Sequence, residues 1–298
     1  MSGSEQAAPP SPDTPAVAIT GASSGIGRAC AETFASGGFH VFAGVRKGED
    51  AAELRAALGD AVTPLRIDVT DDASLAAAAD QVRDAMGGRT LAGLVNNAGV
   101  PSAGPLLHTP IAEMERVLGV NLVGVLRATQ AFAPQLGADR SLDGPPGRIV
   151  MMSSQAGKIG YPFGGVYSAA KHGLEGLSEA LRRELMIYPI DVIIIGPGAV
   201  ATPIWDRASE LDMSPYKGTD YEAIMSGEDG RFVNEGRSGL PPEDIAAVVL
   251  RAVTTLSPRV RYAIAKKPLR NWILPRCLPK RFVDRIIARI VGLTPPKG

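Results

Sequence analysis

Residues 16–27 read AVAITGASSGIG. A short apolar run, AVAIT (16–20), passes directly into a turn with glycines at 21, 25 and 27. An apolar helical pattern then runs from Ile26 to Ser36 and stops at Gly37-Gly38. A buried strand feeding a glycine-rich turn that opens a helix suits a pyrophosphate. Small residues let the backbone come close, and the helix N-terminus favours negative charge. The spacing here is Gly-x-x-x-Gly-x-Gly rather than the commoner Gly-x-Gly-x-x-Gly. A tight turn alone would also use glycines, but the position directly after the first strand favours the nucleotide reading.

The same alternation continues downstream. Apolar strands are predicted at 39–45, 62–68, 91–97, 148–154, 191–196 and 260–265. Helices are predicted at 49–58, from Asp71 or Asp72 to Met86, and at 241–256 with proline at its start. Strands alternating with helices imply a parallel sheet covered on both faces, an α/β fold of the Rossmann-type doubly wound kind. There is no internal repeat and no linker that would divide the core. The expected organisation is a disordered leader (1–14), one dinucleotide-binding and catalytic domain (15–265) and a basic amphipathic C-terminal helical extension (266–298). GADRSLDGPPG (137–147) reads as a polar surface loop.

The 298 residues are 45% apolar and 21% charged with zero formal net charge. That balance implies no global attraction to nucleic acid. Cys30 and Cys277 are far apart, and His40, His108 and His172 are scattered, so no metal motif forms. Two such cysteines fit a reducing cytoplasm, the expected location, although a disulfide stays open. The first 15 residues, MSGSEQAAPPSPDTP, lack the basic start and apolar core of a signal peptide. No stretch is long and apolar enough to span a membrane.

Cofactor choice is usually decided at the end of the second strand. An acid there would bond the ribose 2′-hydroxyl of NAD and repel a 2′-phosphate. This strand ends in Val45, followed by Arg46 and Lys47, with no carboxylate. A guanidinium can clamp a phosphate through paired hydrogen bonds, so NADP is expected over NAD. Lys47 also fits a solvated loop charge. Asp68 follows the third strand, where it could meet the adenine amino group or simply shape the turn.

Tyr167 and Lys171 in YSAAK are four residues apart, so on a helix they share one face. A free tyrosine has a pKa of about 10, too high for a base at neutral pH. A nearby ammonium favours the phenolate and is expected to lower that value. Tyr167 would then exchange a proton with an alcohol or ketone while hydride moves to or from a nicotinamide.

With these motifs in view, the chain resembles the short-chain dehydrogenase/reductase family over roughly residues 14–265. The resemblance rests on TGASSGIG (20–27), IDV (67–69), NNAG (96–99), Asn121 in GVNLVG, Ser154 in MMSS, YSAAK (167–171) and PGAVAT (197–202). It implies that Ser154, 13 residues before Tyr167, hydrogen-bonds the reacting oxygen. It implies that Lys171 also holds the nicotinamide ribose, and that Asn121 supports a proton relay behind the lysine. It makes Gly21, Ser23, Ser24, Gly25, Ile26 and Gly27 the pyrophosphate turn. Val69, with Asp68, and Asn97, Ala98 and Gly99 become cofactor lining. Pro197, Gly198, Val200 and Thr202 would pass beside the nicotinamide, with Thr202 on its carboxamide. Ser153 should point away from the site, Asn96 should support the sheet, and Tyr161 and His172 are local decoys.

In this family the substrate lies beyond the C-terminal strand ends. Segments near 100–108, 155–163 and 203–235 would line it with Ile159, Tyr161, Phe163, Ile204, Trp205, Met213 and Tyr216. That lining suggests a lipophilic ketone or secondary alcohol, and 203–240 could form a lid. The C-terminal tail resembles extensions on family members that handle steroids or retinoids, which implies a substrate of that size. Alternatives are an NAD-dependent alcohol dehydrogenase of the same family, or a cofactor-binding sensor or membrane-surface protein. A homo-oligomer is expected.

From Lys266 onward there are nine basic residues and one acid, Asp284, so the tail carries +8 and the remainder −8. Phe282, Val283, Ile286, Ile287 and Ile290 fall at helical spacings, with Arg281, Arg285 and Arg289 on another face. Such a stripe is expected to pack on the protein or on a second subunit. An anionic membrane surface, giving peripheral membrane contact, is the other reading.

Overall fold

The computed structural model describes residues 10–11, 13–225, 234 and 236–294. Most of the expected leader and the middle of the expected lid lie outside the described residues. The first strand, β1 (Ala16–Ile19), leads into helix α1 (Gly25–Ser36). There follow β2 (His40–Val45), α2 (Gly48–Leu58), β3 (Val62–Arg66), α3 (Asp72–Met86) and β4 (Gly93–Asn96). Helices α4 (Ile111–Leu118) and α5 (Gly124–Phe132) are joined by a π turn, Gly119–Val123. Then come β5 (Arg148–Met152), α6 (Gly165–Glu184), β6 (Asp191–Pro197), α7 (Ile204–Ser209), α8 (Pro242–Thr254) and β7 (Arg261–Ile264).

The seven strands form one sheet in the order β3-β2-β1-β4-β5-β6-β7, and every neighbouring pair is parallel. Successive side chains of a strand point to opposite faces, and the core divides accordingly. Ala16, Ala18 and Phe42 pack with Leu75, Val82, Phe132 and Leu174 on the face covered by α3, α5 and α6. Val17, Ile19, Val41 and Ala43 pack with Phe34, Leu54, Ile245 and Val249 on the face covered by α1, α2 and α8. The strand order reverses between β1 and β4, so the crevice at their C-terminal ends is where such sheets take ligands.

Local chemistry sets several boundaries. Asp71, rather than Asp72, caps α3 by accepting from the Ala73 N–H at 2.9 Å. Gly87 ends that helix in the left-handed region at φ 56°. After β7 the chain continues through a π turn (Leu269–Ile273), a short helix α9 (Leu274–Cys277) and helix α10 (Lys280–Val291). Cys30 is buried and Cys277 exposed, and neither is in a disulfide. No helix among the described residues is long and apolar enough to cross a membrane.

Candidate active site

The β1–α1 turn is built to be narrow. Gly21 and Gly25 have φ of 67° and 55°, which L side chains rarely adopt. A Cβ on Gly27 would fall on the Gly21 carbonyl oxygen and the Asn97 amide. Asn97 locks the turn to β4, its Nδ2 donating to the carbonyls of Thr20 (3.1 Å) and Gly21 (2.9 Å). Thr20 Oγ1 in turn accepts from the N–H groups of Asn97 (3.0 Å) and Ala98 (3.1 Å). Helix α1 opens at Ser24 without a side-chain cap and without an acidic residue in its first turn. Its first N–H groups therefore face the crevice without a competing carboxylate, a donor set that fits an anion.

At the far end of β6 the segment 197–202 closes over the same turn. Gly198 N–H bonds the Ile264 carbonyl at 2.7 Å, and Val200 is buried. A Cβ on Gly25 would sit 3.0 Å from Thr202 Cβ, so Thr202 flanks the glycine turn. Arg207 on α7 then reaches Ser24, donating to its hydroxyl at 2.9 Å. On the opposite side, Arg46 and Lys47 are exposed after β2. Asp68 accepts from Thr70 N–H (2.9 Å) and Thr70 Oγ1 (2.7 Å), both on Oδ1. These bonds, with the Arg46 charge, outweigh partial burial and hold its carboxyl below the usual range.

Ser154, Tyr167 and Lys171 come together at the ends of β5 and α6. The Ser154 hydroxyl lies near enough to the Tyr167 phenol to favour its ionised form. Ser154 Oγ also accepts from the Ala156 N–H at 3.1 Å, fixing its rotamer. Lys171 is buried, its Nζ 5.6 Å from the centre of the Tyr167 ring and donating to the Met152 carbonyl at 2.8 Å. The electrostatics correct the expectation of a lowered tyrosine pKa. Burial pushes the Tyr167 phenol up to about 12, against the pull of Ser154. Burial likewise pushes the Lys171 ammonium down to about 8. A low-dielectric surrounding disfavours both charged forms, and it is the leading influence at both residues.

Asn121 lies fully buried in the π turn. Both ends of its amide are taken by Val100, Oδ1 accepting from the N–H (2.8 Å) and Nδ2 donating to the carbonyl (2.9 Å). Ser153 and Asn96 take the positions expected of them. Ser153 turns away and donates to Glu175 Oε1 at 2.7 Å. Asn96, at the end of β4, donates through Nδ2 to Thr129 Oγ1 of α5 at 3.0 Å. His172 is exposed, with Nδ1 2.8 Å from the Ser168 carbonyl.

The three expected wall segments do meet. The Gly104 N–H bonds the Phe163 carbonyl at 2.7 Å, and Tyr216 Oη donates to the Ala103 carbonyl at 3.2 Å. Tyr221, not anticipated from sequence, stands edge-on to both Phe163 (6.1 Å) and His108 (5.8 Å). Gln155 was also missed. It is buried beside Gly198, and its Nε2 has no partner among the described residues. A buried cluster beneath the site was missed as well. Glu175 on α6 holds Ser153, Arg261 (3.0–3.2 Å) and Lys158 (3.2 Å).

The profile of the short chain dehydrogenase family matches residues 15–212. The chain belongs to the short-chain dehydrogenase/reductase family. Among curated relatives, it is 37% identical over 268 residues to an NADPH-dependent 3-dehydrocapnine reductase of Ornithobacterium rhinotracheale, covering 90% of this chain and 94% of the relative. It is 32% identical over 286 residues to the bovine (Bos taurus) 17-beta-hydroxysteroid dehydrogenase type 6, covering 92% and 87%. Among solved structures, a short-chain dehydrogenase/reductase of Burkholderia phymatum in complex with NAD superposes with a TM-score of 0.72 at 28% identity, covering 96% of this chain and 98% of that one. This short-chain dehydrogenase/reductase is thus a nicotinamide-dependent oxidoreductase acting on CH–OH and C=O groups of a small molecule.

Proposed function

We propose that this enzyme interconverts a lipophilic ketone and its secondary alcohol with NADP(H). The observation that carries the reading is the meeting of Ser154, Tyr167 and buried Lys171 beside the open N-terminus of α1. The residues fit the cofactor. Gly21, Ser23, Ser24, Gly25, Ile26 and Gly27 would hold its diphosphate at the uncapped helix start. Asp68, through Oδ2, and Val69 would meet the adenine, with Asn97, Ala98 and Gly99 lining the ribose side. Pro197, Gly198, Val200 and Thr202 would border the nicotinamide. Bound there, the nicotinamide supplies or accepts the hydride.

The chain's own groups handle the proton and the orientation. Ser154 would hold the substrate oxygen, and Tyr167 would deliver a proton to it in the reducing direction. A phenol whose pKa lies near 12 stays protonated at neutral pH, which suits an acid. Lys171, protonated below about pH 8, would hold the ribose hydroxyls and carry positive charge beside the phenol. Because the Asn121 amide is committed to Val100, a relay through Asn121 would use its main chain.

Arg46 and Lys47, with no carboxylate at the end of β2, support NADP over NAD. The aromatic and apolar wall of Phe163, Tyr216 and Tyr221 supports an apolar substrate, as does the hydroxysteroid dehydrogenase relative. Cytoplasmic placement and a homo-oligomer belong to the same proposal. The test is kcat/KM with NADPH and NADH across ketones of increasing alkyl length. The reading requires values that rise with apolar size and favour NADPH. A preference for small polar carbonyls would overturn the substrate class.

A further inference from the structure

The described C-terminal extension is fastened to the catalytic body and still leaves an apolar stripe uncovered. Trp272 lies between two guanidinium groups, Arg261 of β7 at 4.4 Å and Arg276 of α9 at 4.5 Å from the ring centre. Arg261 is itself held by Glu175 of α6. The start of the extension is thereby tied to the sheet edge through stacked and ionic contacts.

Helix α10 beyond it turns by about 100° per residue, which sorts its side chains into rows. Val283, Ile287 and Val291 form one row and are partly covered. Phe282, Ile286 and Ile290 form the next and are 51%, 40% and 53% exposed. Arg281, Arg285 and Arg289 form the row beyond and are exposed. The packing expected for the stripe is therefore met by one row only. The open apolar row lies between the partly covered row and the arginines, so apolar and cationic groups face outward together.

We infer that this face of α10 docks on an anionic lipid bilayer surface, with Phe282, Ile286 and Ile290 entering the interface and the arginines meeting lipid phosphates. Charge complementarity selects this occupant. The tail carries +8 within a chain of zero net charge, so attraction is concentrated there. A second copy of the chain fits poorly. Two-fold pairing of the stripe would bring two arginine rows together with only Asp284 on each helix to offset them. This docking stands independently of the catalytic proposal, because α10 contributes none of the proposed catalytic or cofactor-binding groups.

The test is co-sedimentation of the full-length protein with vesicles of phosphatidylglycerol and phosphatidylcholine, beside vesicles of phosphatidylcholine alone. Binding is expected on the anionic vesicles only, and to weaken as salt is raised. The triple variant Arg281→Gln, Arg285→Gln, Arg289→Gln should bind at least roughly tenfold more weakly. The double variant Phe282→Glu, Ile286→Glu should lose binding while keeping ketone turnover and melting temperature, since both residues are exposed. The salt titration needs no variant and stands if one fails to fold. No sedimentation of the wild-type protein on anionic vesicles overturns the inference. So does equal binding to both vesicle types, or a dimer that the double variant dissolves in a protein that ignores vesicles.

Discussion

Lys171 Nζ donates a 2.8 Å hydrogen bond to the carbonyl oxygen of Met152, the last residue of β5. The catalytic helix and the strand that leads to Ser154 are thus joined through the amine itself. Burial at that junction lowers the lysine pKa to about 8. Carbonyl reduction should therefore be sustained below that pH and decline as pH rises through it, while Tyr167, with its higher pKa, remains protonated. The sign for folding is the reverse. Between pH 8 and the ordinary lysine value the unfolded chain holds a proton that the folded chain has released, so this group favours folding more as pH rises. A pH profile of kcat/KM for wild type and Lys171→Arg checks the catalytic half. The guanidinium stays charged, so the inflection near pH 8 should vanish from whatever activity remains.

Tyr167→Phe removes only the phenolic hydroxyl. Turnover should fall by about 10²–10⁴-fold, the scale of positioned acid–base catalysis, with NADPH binding nearly intact by fluorescence titration. Lys171→Ala should damage both turnover and cofactor affinity, because the lysine has two proposed tasks. Unchanged affinity in that variant would remove the ribose contact from the account.

Arg46→Asp replaces a phosphate clamp with a hydroxyl acceptor. NADPH should lose about 1.5–3 kcal/mol in kcat/KM, the scale of a charge-assisted hydrogen bond, while NADH gains. Both cofactors measured on one ketone decide it. A wild-type enzyme that already prefers NADH would sink the NADP assignment.

Glu175 tests the buried cluster under the site. Burial raises its carboxyl pKa, but the hydrogen bonds of Arg261 and Ser153 and the charges of Arg261 and Lys158 outweigh that and hold it low. The stability this gives is present above the unfolded carboxyl pKa and is lost as pH falls through the folded one. Glu175→Gln should destabilise the protein at neutral pH by about 3–5 kcal/mol, as expected when one partner of a buried ion pair is removed. The gap to wild type should close in acid. Parallel denaturation curves at neutral and low pH would show it, and a constant gap would refute it.

Much of this was legible in the sequence because the signals are local. The glycine turn, the alternating strands and Tyr167-x-x-x-Lys171 each lie within a few residues. Helices α4 and α5 were not, since Gly119, Gly124 and several valines dilute helix propensity there. Tertiary packing decides instead. A Cβ on Gly124 would lie 2.8 Å from Val69 Cγ2, so the glycine allows α5 to approach the end of β3 closely. The Glu175 cluster was hidden because Arg261 lies 86 residues away in sequence. The pKa of Tyr167 was misjudged because spacing shows the neighbouring charge but not the burial around it.

The central claim is that Tyr167 serves as the acid in NADPH-dependent reduction of an apolar ketone. The most direct measurement offers wild type and Tyr167→Phe the same long-chain ketone with NADPH deuterated at the transferring position, and analyses the alcohol by mass spectrometry. The account predicts deuterium on the carbinol carbon with the wild type, and almost no product from a variant that still binds NADPH. Comparable product from both enzymes, or no labelled alcohol from a cofactor-bound wild type, would contradict it.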